Sequence, residues 1–318
     1  MVFHRVLLLV HQFPPITAYA QPVAEIIRRH QVAYHVYADD TQLYVSFNPK
    51  SDEDMAAAQL RLNRCIAEIR SWMFKNKLKL NDSKTELFLI SSPRCAAGIS
   101  HLTLNIGGSV VRPSASIKNL GIVFDNSLTM NSHVSSLCRS VNFHIRNIAR
   151  IRRFIDQTTC AHAARSLILS RLDYGNSLLC GLPKQAVQRL QKLQNRAARL
   201  IFQVSKRTSA APLLRELHWL PVQQRIDFKI LVHVYNCLHD SSPSYLQDRL
   251  HKYKCNRTGL RSMKDLSRLE IPKTKRAYGD RSFSAYGPKL WNSLPNNVRD
   301  APNVKAFKKL LKTYLFPN

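Results

Sequence analysis

The chain has few glycines, no repeat and no long apolar run. It contains 9 glycines in 318 residues, and no stretch of low complexity. Its apolar run near the start, Val6 to Val10, is shorter than the ~7–15 residues of a signal-peptide core and far shorter than the ~20 of a membrane span. We therefore expect an intracellular protein, nuclear or cytoplasmic, that is not secreted and has no membrane partner.

Cysteines are also few, and their spacing excludes the common structural patterns. The 7 cysteines are an odd number, and no Cys-x-x-Cys pair occurs, which favours free thiols in a reducing compartment over a disulfide framework. Cys237 and His239, followed by His251 and Cys255, could be drawn as a zinc site. Because their spacing matches none of the usual zinc patterns, we do not adopt it.

Acidic residues are scarce, and this shortage is uneven along the chain. The formal net charge is +28. Residues 1–130 carry 14 lysines and arginines against 10 carboxylates, whereas residues 131–318 carry 34 against 10. Such an excess predicts a polyanionic partner, which is nucleic acid or, as the less favoured alternative, an anionic membrane. The basic part of the chain is its second part.

Two adjacent carboxylates lie between two runs of strand-forming residues. The segment Tyr37-Ala38-Asp39-Asp40 is preceded by 32–36 and followed by 41–47, and both runs are rich in β-branched and aromatic residues. This pattern predicts a hairpin with the two aspartates at its exposed tip. Like charges this close repel each other, so the pair is hard to explain as a stabilising feature unless a cation binds between them. Hard oxygen ligands favour Mg²⁺ or Mn²⁺ as that cation. The alternative is that the Asp pair is only a turn.

The same segment resembles the metal-binding motif of reverse transcriptases, specifically those of non-LTR (LINE-type) retrotransposons. The match runs from Tyr37 through Thr41-Gln42-Leu43-Tyr44, and Ile26 to His30 resembles the family's approach to the motif. The resemblance implies an RNA-directed DNA polymerase, a nucleotidyltransferase with RNA and DNA as partners and dNTPs as its small-molecule substrates. It also implies Asp39 and Asp40 as catalytic metal ligands for Mg²⁺ or Mn²⁺.

The family's upstream motifs are not found in residues 1–24. In relatives, the first metal-binding aspartate and a segment that holds template and nucleotide precede the Asp pair. We therefore expect an N-terminally truncated remnant that is inactive alone. Residues 4–10 are read either as a buried strand or as sequence foreign to the fold, and the resemblance favours the second.

The region after the Asp pair predicts a helix and then two further family segments. Acidic residues after Ser51 fit a helix start, and Leu62, Ile66, Ile69 and Met73 recur at helical spacing. The segment 78–90 resembles the family motif with a lysine near the nucleotide. Lys84 is the match, and it is a candidate catalytic residue that would neutralise or protonate pyrophosphate. The alternative is a solvated loop lysine.

Lys118 to Asp125 is similar to the family's primer-gripping segment. Its glycine, Gly121, would permit close approach of a primer phosphate, or else it is an ordinary strand glycine at a bulge. Candidate nucleic-acid-binding residues are Tyr37, Gly121, Arg146, Arg150, Arg153, Arg196 and Arg199. The arginines are assigned because they recur on predicted helices of the basic region, although such faces are often only solvated.

The predicted fold class is α+β, with a partial polymerase palm, then a helical thumb-like bundle and a small C-terminal module. The expected regions are 1–24 outside the family similarity, 25–130 as palm, 131–240 as basic helices and 241–318 as linker and module. Predicted helices cover 161–179, 184–204 and 222–238. The segments 282–295 and 304–311 resemble the region after the polymerase in LINE-type proteins, where Trp291 and Tyr286 either stack on bases or pack.

Three functional hypotheses follow from these patterns. The first is a remnant of a retrotransposon reverse transcriptase. The second is a basic nucleic-acid-binding protein without chemistry, and the third is a decayed reading frame that does not fold stably.

Overall fold

The computed structural model describes residues 4–11, 20–37, 40–91, 102–253 and 267–316. It confirms a mixed α+β protein. The chain divides into two compact units, Met1–His133 and Val134–Asn318. Within the described ranges, no helix combines the length and the apolar character needed to cross a membrane.

Within the residues described for it, the first unit contains the strands and two helices. The strands are β1 (His4–His11), β2 (Ala33–Tyr37), β3 (Asp40–Phe47), β4 (Glu86–Ile90), β5 (Leu104–Ile106), β6 (Ser109–Val111), β7 (Pro113–Ser114), β8 (Ser116–Asn119) and β9 (Ile122–Asp125). The helices are α1 (Ala20–Arg29) and α2 (Asp52–Lys75). The main sheet has the order β2-β3-β1-β4-β7, while β5 with β6 and β8 with β9 form separate hairpins.

Strand β1 lies in the middle of the main sheet. It pairs antiparallel with β3 on one side and with β4 on the other. The interpretation of residues 4–10 as sequence foreign to the fold is therefore wrong, and the alternative of a strand is confirmed. The expected boundary after residue 24 also falls inside α1, because this helix continues through buried Ile26 and Ile27 into the core of the unit.

Helices α1 and α2 cover one face of the sheet, and for α2 the spacing of the apolar residues predicts this. The α2 helix begins after Ser51, whose side chain accepts a hydrogen bond of 3.2 Å from the backbone N of Asp54, and this satisfies one of the unpaired groups at the helix start. The predicted apolar face of α2 is buried: Leu62, Ile66, Ile69 and Met73. Alternate residues of β3 meet it, including Leu43 and Phe47.

Part of the opposite face of the sheet is covered by the β8–β9 hairpin. Phe88 of β4 and Ile117 of β8 are buried together, with Ile90 and Phe124 packed against them. On β3, the residues that alternate with the buried ones, among them Asp40, Gln42 and Tyr44, are only half-buried. The part of this face that begins at Asp40 is therefore partly accessible.

The second unit is helical. Its elements of at least four α-helical residues are α3 (Asn131–Ile151), α4 (Gln157–Ala164), α5 (Ser170–Asp173), α6 (Lys184–Phe202), α7 (Ala210–Glu216), α8 (Val222–Leu238), α9 (Ser244–Gln247), α10 (Ala277–Asp280), α11 (Phe283–Asn292), α12 (Asn296–Arg299) and α13 (Val304–Leu315). Helix α8 has the predicted bounds. The apolar residues of α3 that recur at helical spacing are buried: Val134, Leu137, Val141, Ile145 and Ile148.

The predicted helix over 161–179 is not continuous. It is α4, a π-helical turn over Arg165–Leu169, α5 and a 3₁₀ turn over Asn176–Leu179. Gly175 precedes the last turn with φ of +60°, a conformation that ends a right-handed helix and suits glycine.

The division between the expected regions 131–240 and 241–318 stays a prediction, and residues of both regions fall in the second compact unit. Aromatic packing explains this. Tyr235 of α8 stacks on Phe307 of α13 with ring centroids 4.3 Å apart. Its hydroxyl donates a hydrogen bond of 2.8 Å to the carbonyl of Ala301.

Candidate functional site

The hairpin predicted around the Asp pair is present. Strands β2 and β3 are antiparallel, and Tyr37 is the pairing partner of Asp40. Tyr37 is exposed, with 64% of its surface accessible, and Asp40 is half-buried. Asp39 and Ala38, at the connection, lie outside the described residues. The hairpin is thus confirmed, while the position of the aspartate pair at an exposed tip stays a prediction.

The start of β3 and the lysine segment meet at the same end of the sheet. In the register of β1, His11 pairs with Asp40, and Leu9 pairs with Gln42 on one side and with Glu86 on the other. Two strand spacings separate Gln42 from Glu86, which is roughly 10 Å. Lys84 precedes Glu86 by two residues in a short 3₁₀ turn and is exposed. It is therefore displaced from Glu86 toward the end of the sheet where Asp40 lies.

Gly121 lies in the tight turn of the β8–β9 hairpin. Leu120 and Gly121 have φ of +45° and +81°, and they connect the paired residues Asn119 and Ile122. Two consecutive positive φ angles are typical of the hairpin turn whose twist matches its strands, and glycine favours them. The glycine is thus required by the turn, not by a bulge inside a strand. It is exposed at the hairpin tip.

A side-chain hydrogen bond joins this hairpin tip to β3. Gln42 Nε2 donates to Asn119 Oδ1 over 3.1 Å. At the other end of the hairpin, Asp125 accepts hydrogen bonds from the backbone N of Thr129 and of Met130, at 2.8 and 2.7 Å. Gln42 was not identified as a site residue from the sequence, where its position two residues after the Asp pair is the only feature that indicates it.

Carboxylate oxygens, such as those of aspartate side chains, suit Mg²⁺ or Mn²⁺. Among the residues that the structure describes, no group of three His, Cys, Asp or Glu side chains could hold a metal ion, and Asp39 is outside that set.

The zinc pattern that we did not adopt has Cys237 buried and His239 stacked on Tyr235, with ring centroids 4.0 Å apart. Cys255 is outside the described residues.

Two of the candidate arginines lie together in the second unit. Arg146 of α3 and Arg196 of α6 line an open groove of about 440 Å³ with Arg139 and Asn142. The guanidinium of Arg196 donates a hydrogen bond to Asn142 Oδ1. We call this set the arginine groove. Asn142 was not identified from the sequence, because an asparagine on a helix has no distinctive spacing.

The remaining candidate arginines lie apart from the groove's lining. Arg150 is exposed near the end of α3, and Arg153 lies over the ring of Phe154, 4.6 Å from its centroid. Arg199 donates from Nε to the carbonyl of Thr208 over 2.8 Å.

Arg152, between these candidates, has a structural role. Its guanidinium donates to the carbonyls of Leu200, Ile201 and Ile155 at 3.1, 2.6 and 2.7 Å. It thereby satisfies carbonyls in the last turn of α6, where the helix leaves them unpaired.

Trp291 packs its ring in the interior, and Tyr286 is half-buried. Trp291 is 1% exposed, and its Nε1 donates to the carbonyl of Ser267 over 2.8 Å. Tyr286 donates its hydroxyl to Asp227 over 3.2 Å. Burial raises the pKa of the Tyr286 phenol, and the neighbouring Asp227 carboxyl raises it further. The packing alternative is confirmed for Trp291.

In comparisons with known proteins, no protein-family model and no curated protein matches the chain.

Proposed function

We propose that this chain derives from the reverse transcriptase of a non-LTR retrotransposon, and that alone it holds RNA or DNA and a divalent cation without extending a primer. The observation that carries the proposal is the meeting of three sequence-distant segments at one end of the sheet. Asp40 lies in the first pair of β3, Lys84 lies just before β4, and Gln42 donates a hydrogen bond to the tip of the hairpin that holds Gly121.

Nucleotidyl transfer requires carboxylates that place cations at the attacking and leaving oxygens. In this chain Asp39 and Asp40 would hold Mg²⁺ or Mn²⁺, which supplies charge stabilisation at phosphate oxygens. Lys84 would neutralise charge on the leaving pyrophosphate. On the side of β3 that faces away from β2, the neighbouring strand is β1, and its sequence HRVLLLVH offers no third carboxylate.

Primer extension tests the catalytic part of the proposal. The full chain, with a primed RNA template, dNTPs and either Mg²⁺ or Mn²⁺, is expected to give no incorporation. The matched controls are Asp39→Asn and the exposed Asp248→Asn, which lies in the other unit. Template-dependent incorporation that Asp39→Asn abolishes and Asp248→Asn does not would show a complete polymerase site and contradict the proposal.

A second candidate function is nucleic-acid binding without any relation to polymerase chemistry. It is favoured by the composition of α3 and α6, which together carry 8 lysines and arginines and no carboxylate. Each phosphate that these cations neutralise releases counterions, so 6–10 contacts would cost about 10³–10⁵ in affinity between ~50 and ~200 mM salt.

The two functions are distinguished by a binding series with a labelled oligonucleotide at several salt concentrations, with and without Mn²⁺. Polymerase ancestry predicts that Mn²⁺ strengthens the binding and that Asp40→Asn removes this effect. Binding that depends on salt but is indifferent to Mn²⁺ and to Asp40→Asn would favour the second function. Absence of salt-dependent binding would contradict both.

A further inference from the structure

Helices α3 and α6 lie side by side and run in the same direction. Arg189 donates to Ser135 Oγ over 3.1 Å, and Arg196 donates to Asn142. Both pairs span 54 residues, so the contacts advance together along the two helices. They are seven residues apart, which is about 10 Å along a helix axis. These hydrogen bonds hold two long arginine side chains in place along one seam.

The charge along this seam is not balanced locally. The only carboxylates in residues 131–204 are Asp156 and Asp173. Asp156 accepts from the backbone N of Thr158 and of Thr159 at the start of α4, at 3.2 Å each. Asp173 pairs with the guanidinium of Arg225. Both carboxylates have other partners, so the arginine groove keeps its positive potential for an external anion.

An exposed aromatic ring lies between two arginines of the groove in the sequence of α3. Phe143 is 53% exposed, four residues after Arg139 and three before Arg146, and this spacing puts all three on one helix face. The ring meets that of His144 edge to face, with centroids 5.2 Å apart. Because the Phe143 ring is exposed, it lacks much of the stabilisation that a buried phenylalanine gains.

We propose that the arginine groove and Phe143 form a binding site for single-stranded nucleic acid. Arg139, Arg146 and Arg196 contact backbone phosphates, and an unpaired base stacks on the ring of Phe143. Cations that follow the backbone, together with an aromatic ring for stacking, are the common features of single-strand binding. A base inside a duplex keeps both faces stacked on its neighbours and offers none to the ring.

This inference rests on the proposed binding of RNA or DNA and adds its place and its preference for single strands. The test uses the full chain with a labelled 20-nucleotide oligo(U) and with a duplex of equal length, followed by fluorescence anisotropy at several salt concentrations. The variants are Phe143→Ala, the conservative Phe143→Tyr, Arg146→Gln and Arg196→Gln. The controls are Phe74→Ala, which removes a ring that is 80% exposed on α2, and Arg64→Gln on the same helix.

Phe143→Ala should weaken oligo(U) binding by about 5- to 100-fold and leave duplex binding almost unchanged, while Phe143→Tyr should bind like the wild type. Each arginine variant should reduce the salt slope by about one. A thermal melt of each variant checks folding, and Phe143→Tyr with the arginine variants still tests the site if Phe143→Ala fails to fold.

The outcomes separate this site from the proposed function. If the wild type binds neither oligonucleotide, nucleic-acid binding itself is wrong. If it binds but the groove variants behave like Phe74→Ala and Arg64→Gln, binding is real and this site is wrong. Equal losses for single strand and duplex would refute the stacking role. Displacement of oligo(U) by phosphatidylserine vesicles that bind through Phe143 would identify the site as a lipid surface and overturn the proposal.

Discussion

Gln42 Nε2 lies 3.1 Å from Asn119 Oδ1, so the strand that follows the Asp pair holds the tip of the β8–β9 hairpin directly. Both residues come from segments that the resemblance connects with polymerase function, but their contact is a property of the folded chain. The contact is a single hydrogen bond between amides, and its contribution can be measured.

The Gln42–Asn119 pair is expected to couple by about 0.5–1.5 kcal/mol, the usual net value of such a hydrogen bond. The measurement is a double-mutant cycle of Gln42→Ala and Asn119→Ala by urea denaturation, followed with a probe in the first unit. Additive losses would show that the two side chains do not interact in solution.

Tyr235 should contribute to the second unit both through its ring and through its hydroxyl. Tyr235→Phe removes the hydrogen bond to Ala301 and leaves a carbonyl that burial keeps from water, so it should cost about 1–3 kcal/mol. Phe307→Ala should cost about 3–5 kcal/mol because it opens a cavity against Tyr235 and Trp291. Tyr245→Phe, at a residue that is 60% exposed, is the control in the same denaturation series. A loss as small as that of the control would contradict the packing described above.

Asp227 should make the second unit less stable as the pH rises from acid toward neutral. Burial raises the pKa of this carboxyl, although hydrogen bonds from Gln223 and Tyr286 act in the opposite direction. The folded state therefore binds the proton more tightly than the unfolded state. The stabilisation is complete below the ordinary aspartate pKa of about 3.9, and it is lost as the pH rises through the raised value.

The test compares the wild type with Asp227→Asn, which keeps an oxygen to accept both hydrogen bonds. The difference in unfolding free energy, wild type minus variant, should fall as the pH rises from about 4 toward 7. Asp248→Asn, at an exposed aspartate, supplies the control. A difference that rises with pH would reverse the assigned sign and refute the prediction.

Divalent cations should bind the Asp pair weakly. A cation held by two carboxylates keeps most of its water, so we expect affinity in the millimolar range. Titration with Mn²⁺, followed by water proton relaxation, should show binding that Asp40→Asn weakens. Asp52→Asn, at an exposed residue in the first turn of α2, should have no effect. Micromolar affinity, or an unchanged affinity in Asp40→Asn, would contradict the assignment.

Periodic patterns in the sequence predicted much of the fold. The apolar spacing of Leu62, Ile66 and Ile69 indicated the buried face of α2, and the strand-like runs around the Asp pair indicated the β2–β3 hairpin. Such patterns depend on residues that are close in sequence, so they are visible without a structure.

Long-range pairing could not be predicted in the same way. Residues 6–10 are an apolar run that suits either a central strand or an unrelated segment, and only the pairing of β1 with β3 and β4 decides between them. The hydrogen bond between Arg196 and Asn142 joins residues 54 positions apart. No local pattern indicates that an asparagine of one helix will orient an arginine of another.

Because β1 lies between β3 and β4, eight residues connect the two parts of the main sheet. The β2–β3 hairpin can form locally, but β4 joins the sheet by pairing with β1. The partners of β1 lie about 36 residues away in β3 and about 80 residues away in β4. Closing loops of this size costs entropy before the strand pairing compensates for it. Pairing of β1 is therefore entropically costly, and a chain in which β1 is unpaired leaves the facing edges of β3 and β4 open to pairing with other chains.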